Sequence, residues 1–178
     1  MAKISNTSAY PNLATPVATD YLILTDQSDN LLTKSCTLGD VQKLFGVDTL
    51  VSKVQISSAA LLTLNTTAAT LVNAPGSGKV IDVISIMFYL DAGSQAYDFG
   101  TSSLSINIGS EQIASIPNSS SVINSATDVV FKPEVPNTNE VIAQNTALTL
   151  SAAANPTQGT GILYANVFYR VLSVGSTF

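Results

Sequence analysis

Histidine is missing from the 178 residues. With it go the commonest general base, the commonest metal ligand and the partner that activates a serine or cysteine nucleophile. Cysteine occurs once, at position 36, which excludes an internal disulfide framework. With no histidine to take its proton, Cys36 reads as a small buried side chain rather than a reactive thiol. Charge is scarce too: Asp, Glu, Lys and Arg make up 11% of the chain, against about 25% in typical soluble domains. The seven basic residues are scattered among twelve acidic ones, giving a net charge of −5. That argues against nucleic acid as a partner, because a phosphate backbone is held by clustered cations. Long apolar runs are also lacking. Val80 to Leu90 and Gly161 to Leu172 are interrupted by Asp82, Asn166 and Arg170 and fall short of the roughly 20 residues a membrane helix needs. The opening stretch MAKISNTSAYPN has no apolar core of a secretory leader, so synthesis and folding in a cytoplasm are expected.

What the chain does have is 46% apolar residues, enough for a packed core. It also has 22 Ser, 19 Thr and 13 Asn, so hydroxyls and amides must wet the surface in place of charges. This balance favours a β-rich fold with polar turns, and leaves few charges to hold strand edges apart. The length suits one ordinary domain and a small appendage, at about 100 to 200 residues per domain.

Residues 1 to about 19 are polar with two prolines and read as an extended arm. Asp20 to Thr37 (DYLILTDQSDNLLTKSCT) reads as a hairpin, with a strand at Tyr21 to Leu24, turn formers from Asp26 to Asn30 and a return strand from Leu31. Thr37-Leu-Gly-Asp40 resembles a helix start, with Asp where a capping box has Glu or Gln, and Gly46 is a stop. This piece is too small to be stable alone, so it is expected to dock on another protein or subunit.

From Val51 onward the pattern is all β. Strands are expected at Val51 to Ile56, Ala60 to Leu64, Thr70 to Val72, Lys79 to Leu90, Leu104 to Ile108, Gln112 to Ile116, Asp128 to Lys132, Glu140 to Ala143, Ala147 to Ala153 and Gly161 to Val174. Short strands parted by Ser, Asn, Gly and Pro clusters predict an antiparallel β-sandwich or jelly roll. No capped amphipathic segment of helical length after Gly46 supports βαβ units. The domain division is therefore 1–50 for the arm, hairpin and helix, and 51–178 for the sandwich.

The stretch VNAPGSGKVIDV, Val72 to Val83, carries letters of a phosphate-binding loop. Asn73 stands at the first glycine position, Val80 replaces the magnesium-binding hydroxyl, and a strand rather than a helix follows. The segment reads as a turn between strands. The strands from Val80 and from Gly161 carry apolar residues on both faces, whereas one face suffices for a sandwich. Covering the second face with a further copy of the chain is favourable at roughly 25 cal/mol per Å², so a homo-oligomer is expected.

No catalytic, cofactor-binding or metal-ligating residue is assigned. Asp26 with Asp29, Asp91 with Asp98 in DAGSQAYD, and Glu134 with Glu140 read as solvated turn carboxylates, none with calcium-loop spacing. Tyr97 and Phe99, with Tyr89 and Tyr164, read as core and interface packing, with an aromatic surface for sugar as the sharper alternative.

Two segments carry a resemblance. Tyr10-Pro-Asn-Leu, Thr19-Asp-Tyr-Leu-Ile-Leu-Thr-Asp, Leu32-Thr-Lys and Thr37-Leu-Gly-Asp-Val together resemble the short virion-attachment module at the start of many tailed-bacteriophage head and tail fibre proteins. Ala60-Leu-Leu-Thr-Leu-Asn-Thr-Thr and Leu71-Val-Asn-Ala-Pro-Gly-Ser-Gly-Lys-Val-Ile-Asp-Val, with a closing Tyr169-Arg-Val-Leu, are similar to a β domain of phage structural proteins. The resemblance implies a non-enzymatic virion protein, trimeric, attached to capsid or tail proteins through residues 1–50. Because the chain stops after one globular domain, a capsid decoration or head-fibre role is expected. The alternative is a short tail fibre or spike that binds a host surface glycan.

Overall fold

The computed structural model describes residues 17, 19–26, 32–44, 49–117, 124–135 and 143–175. The chain divides into two compact units, Met1–Asp48 and Thr49–Phe178.

In the first unit, β1 (Tyr21–Asp26) and β2 (Leu32–Thr37) pair antiparallel, from Tyr21 opposite Thr37 to Asp26 opposite Leu32. The expected hairpin is therefore present, except that its first strand runs on through Asp26, which the sequence placed in the turn. Helix α1 (Leu38–Leu44) follows at once. Thr37 Oγ1 accepts the Asp40 N–H at 3.1 Å, and the Asp40 carboxylate accepts the Thr37 N–H at 3.2 Å and its hydroxyl at 2.7 Å. Asp thus closes a reciprocal cap of the capping-box kind. Asp20 sets the entry: its carboxylate accepts the Val17 N–H at 2.8 Å, and its carbonyl accepts the Leu38 N–H at 2.8 Å. The arm before residue 17, the turn residues 27–31, Phe45 and the Gly46 stop lie outside the described residues.

The second unit contains β3 (Leu50–Ile56), α2 (Ser58–Leu61), β4 (Ala69–Val72), β5 (Lys79–Asp91), β6 (Leu104–Ile108), β7 (Glu111–Ile116), β8 (Val129–Phe131), β9 (Leu148–Ala152) and β10 (Ile162–Ser173). Two four-stranded sheets form, ordered β3-β10-β5-β8 and β4-β9-β6-β7, with every pairing antiparallel. First pairs with last, and so inward: β3 with β10, β4 with β9, β5 with β8, β6 with β7. This is one long antiparallel ribbon folded over itself, the connectivity of an eight-stranded jelly roll. The expected all-β sandwich is what the chain forms.

The core lies between the sheets. Strands β6 and β9 alternate buried and half-buried residues along their length, so Leu104, Ile106, Leu148 and Leu150 meet Phe88, Ile86, Ala165 and Val167 from the facing sheet in one buried cluster.

Two expectations are corrected, and a third falls mostly outside the described residues. Ala60 to Leu64 is not a strand: α2 and a turn occupy it, with Ser57 Oγ capping the Ala60 N–H at 3.3 Å. Leu61 and Leu64 are the buried residues there, and a spacing of three is helical rather than alternating. The strand expected at Glu140 to Ala143 has residues 140–142 outside the described set, and Ala143 belongs to no strand.

The second correction concerns β5. Its pairing with β10 slips at one point: Phe168 faces Ser85 but Tyr169 faces Val83, leaving Ile84 as an extra bulged residue. One extra residue reverses the side-chain alternation. Ile81 and Val83 before the bulge and Ile86, Phe88 and Leu90 after it therefore all turn inward, opposite Val171, Tyr169, Val167, Ala165 and Leu163. The apolar residues that seemed to occupy two faces of β5 mostly share one.

The stretch read as a turn is one. The Lys79 N–H donates to Gly76 C=O at 3.2 Å, and Asn145 Oδ1 accepts the Gly76 N–H at 3.0 Å. Gly76 and Gly78 have φ of +100° and +71°, values open to glycine. No helix follows.

Candidate functional site

The outer faces of the two sheets differ in kind. On β4-β9-β6-β7 the outward residues are hydroxyls and amides that bond one another. Asn107 Nδ2 donates to Ser151 Oγ at 2.9 Å, and Ser105 Oγ donates to Gln112 Oε1 at 3.0 Å. On β3-β10-β5-β8 aromatic and aliphatic side chains stand among amide, hydroxyl and charged ones. Register defines the rows: Gln55, Tyr164, Tyr89 and Val130 lie side by side, then Lys53, Asn166 and Met87, then Val51, Phe168 and Ser85, then Arg170 and Asp82. Val130 is 58% exposed, and Val51 and the bulged Ile84 are each 46% exposed. Leu50 beside Val51 is exposed as well. The face therefore has an aliphatic end around Val51, Ile84 and Phe168 and an aromatic, amide-bearing end around Tyr164.

At the aromatic end Tyr89 and Tyr164 stack with ring centroids 5.8 Å apart and planes 22° from parallel. Tyr89 is held by Asp128, whose Oδ2 accepts its hydroxyl at 3.0 Å while Oδ1 accepts the Ala92 N–H at 2.9 Å. That hydrogen bond to a carboxylate holds the Tyr89 phenol above its ordinary pKa, with desolvation adding to it. Beside the pair lies a hollow of about 440 Å³, lined by Lys53, Gln55, Asn166 and both tyrosines. Beyond the aliphatic end, in the next row, Arg170 Nε and Nη2 reach one oxygen of Asp82 at 3.0 and 2.5 Å. So exposed a pair contributes at most about 1 kcal/mol.

The four aromatic residues singled out in the sequence separate. Tyr97 and Phe99 are buried, with Tyr97 3% exposed. Tyr97 donates its hydroxyl to Gly161 C=O at 2.5 Å, and burial pushes its pKa up to about 12. They are core residues, as the plainer reading had it, whereas Tyr89 and Tyr164 meet on the surface. Asp128 was not singled out. It lies 39 residues from Tyr89 in the chain, and no local pattern announces the contact.

The carboxylates do not gather: among the described residues no three Asp, Glu or Cys side chains come together as a metal group would require. Asp98 caps the Gly100 N–H at 2.9 Å and its carbonyl accepts the Thr157 N–H at 3.0 Å. Asp91 is exposed at the end of β5, and Glu134 lines a separate open hollow by β7 and β8. Asp29 and Glu140 lie outside the described residues, as does the side chain of Asp26. Cys36 is half-buried rather than buried. No helix among the described residues is long and apolar enough to cross a membrane.

No protein-family model matches the chain, and no curated protein does. Among solved structures it is similar to a chain of the cyanophage Pam1 capsid asymmetric unit, at 17% identity and a TM-score of 0.44 over 68% of this chain and 81% of that one. It is also similar to a chain of the acid-stable capsid of Helicobacter pylori bacteriophage KHP30, at 16% identity and a TM-score of 0.42 over 72% and 94%. A third likeness is to a Stig cyclase from Fischerella sp. TAU, at 13% identity and a TM-score of 0.33 over 60% and 55%. Scores of this size do not establish a common fold with any of the three.

Proposed function

We propose that the chain is a non-enzymatic structural component of a bacteriophage virion: a homotrimeric capsid decoration or head-fibre protein held to the particle by residues 1–50. The resemblance of the two quoted segments to phage virion modules supports the setting. The observation that carries the architecture is the division into a hairpin-helix unit and a jelly roll. On β1 of the smaller unit, Tyr21 and Ile23 stand 72% and 77% exposed. A two-stranded sheet with apolar side chains in water is marginal alone, and a particle surface that covers them stabilises it. The jelly roll, with its own core, projects.

Copies of the jelly roll meet through the aliphatic end of the outer face, around Val51, Ile84 and Phe168, where burial is worth about 25 cal/mol per Å². The low charge of the chain leaves little repulsion to oppose that contact.

The test is cryo-EM of particles assembled with and without this chain. Density for a protrusion present only with the chain is expected. Particles whose density is the same in both preparations would contradict the reading.

A further inference from the structure

We propose that the hollow beside Tyr164 is a binding site for a pyranose saccharide. Three features of the site specify that chemistry. The first is an aromatic wall: the stacked pair Tyr89 and Tyr164, braced by Asp128. Aromatic faces are electron-rich and attract the slightly positive C–H edge of an apolar group. One side of a pyranose ring is a flat array of such C–H groups.

The second is a set of idle hydrogen-bonding groups. The side chains of Lys53, Gln55 and Asn166 line the hollow and, among the described residues, bond no protein group. The opposite sheet spends its equivalent amides and hydroxyls on one another, so the idle set is particular to this face. Two amides offer donors and acceptors together, which is what a row of hydroxyls needs. The third is size: about 440 Å³ lies within the roughly 300 to 1,000 Å³ of small-ligand sites and admits one or two sugar rings.

Charge narrows the class. Lys53 is the one cation lining the hollow, while Asp128 stands against Tyr89. A neutral or singly acidic sugar fits this balance, and a polyphosphate does not. Tyr164 stands four residues along β10 from Phe168, about 13 Å, and the nearer lining residue Asn166 two residues, about 7 Å, while none of Val51, Ile84 and Phe168 lines the hollow. The inference does not rest on the virion reading.

Saturation-transfer NMR on the full-length protein tests it, with maltotriose, lactose, diacetylchitobiose and a glucuronate disaccharide as probes at millimolar concentration. At least one probe is expected to show transfer to its ring C–H protons. Tyr164→Phe, which keeps the ring, retains the signal. Tyr164→Ala and the double variant Gln55→Ala/Asn166→Ala weaken binding on the order of tenfold while the protein still melts in one cooperative transition. Glu111→Gln, on the opposite sheet, leaves binding unchanged. Absence of transfer with all four probes to folded protein overturns the proposal. So does transfer that survives Tyr164→Ala. If Tyr164→Ala instead dissociates an oligomer and no probe binds, the hollow is a contact between copies and the saccharide assignment is wrong.

Discussion

At the scale of single residues, two loops of the jelly roll, 92–100 and 153–161, pack closely on one another. Gln95 N–H donates to Thr160 Oγ1 at 3.0 Å, Thr160 N–H donates to Gln95 C=O at 3.1 Å, and the Tyr97 ring fills the space between. A Cβ on Gly159 would lie 2.0 Å from that ring, at a φ of +143°. Gly159→Ala is therefore expected to destabilise the second unit by about 2 to 5 kcal/mol, from overpacking and backbone strain together. Chemical denaturation reads this directly, and a midpoint equal to the parent's would contradict the packing. Tyr97 itself makes stability depend on alkaline pH. Its pKa is raised to about 12, above the unfolded value near 10. Between these values the unfolded chain has lost the proton and the folded one has kept it, so stability falls as pH rises through this window. Tyr97→Phe should lessen that alkaline loss, measured as melting temperature against pH. The sequence shows Tyr97 as an aromatic in a Gly-Ser loop but carries no sign of Gly159 beneath it, because 62 positions separate them and only the fold brings them together.

At the scale of the element, β5 is the informative strand. Period-two reading leaves Val80, Ile84, Ile86 and Phe88 on one side and Ile81, Val83, Met87 and Tyr89 on the other, and so overstates the surplus apolar surface. The bulge at Ile84 reconciles the two sets, and nothing local in VISI marks it, since every residue there suits a strand. A deletion series tests this. Removing Ile84 leaves each flanking residue on its own face and should cost only about 1 to 2 kcal/mol. Removing Met87 leaves no alternation that keeps Ile86, Phe88 and Leu90 all inside, and should cost more than about 3 kcal/mol. Equal costs for the two deletions would remove the bulge from the account. Elements with plain alternation were legible from residues alone: Leu104–Ile108 matches its expectation at both ends. The helix at Ser58–Leu61 was not, because four residues are too few to display a period.

At the scale of the whole molecule, the sequence disclosed the class, an antiparallel sandwich, through the density of short alternating runs between polar turns. The order of the strands was out of reach, since pairing β3 with β10 and β4 with β9 joins residues between 76 and 119 positions apart. The site was half legible: two of its aromatics stood out, whereas their union with Asp128, Gln55 and Asn166 depends on register across three strands and a loop. The account separates the roles of the two units. A chain truncated to residues 49–178 should melt cooperatively as the full chain's second unit does, yet fail to rejoin particles that lack the protein. Truncated protein that rebinds such particles would place the anchor in the jelly roll.

The mass of the full-length protein in solution tests the central claim, self-association of the jelly roll through the aliphatic end of one sheet, most directly. Light scattering at micromolar concentration is predicted to give a particle of three 18.5 kDa chains, reduced to one chain by Phe168→Glu with Ile84→Lys. A full-length, folded protein that scatters as a single 18.5 kDa chain would contradict it.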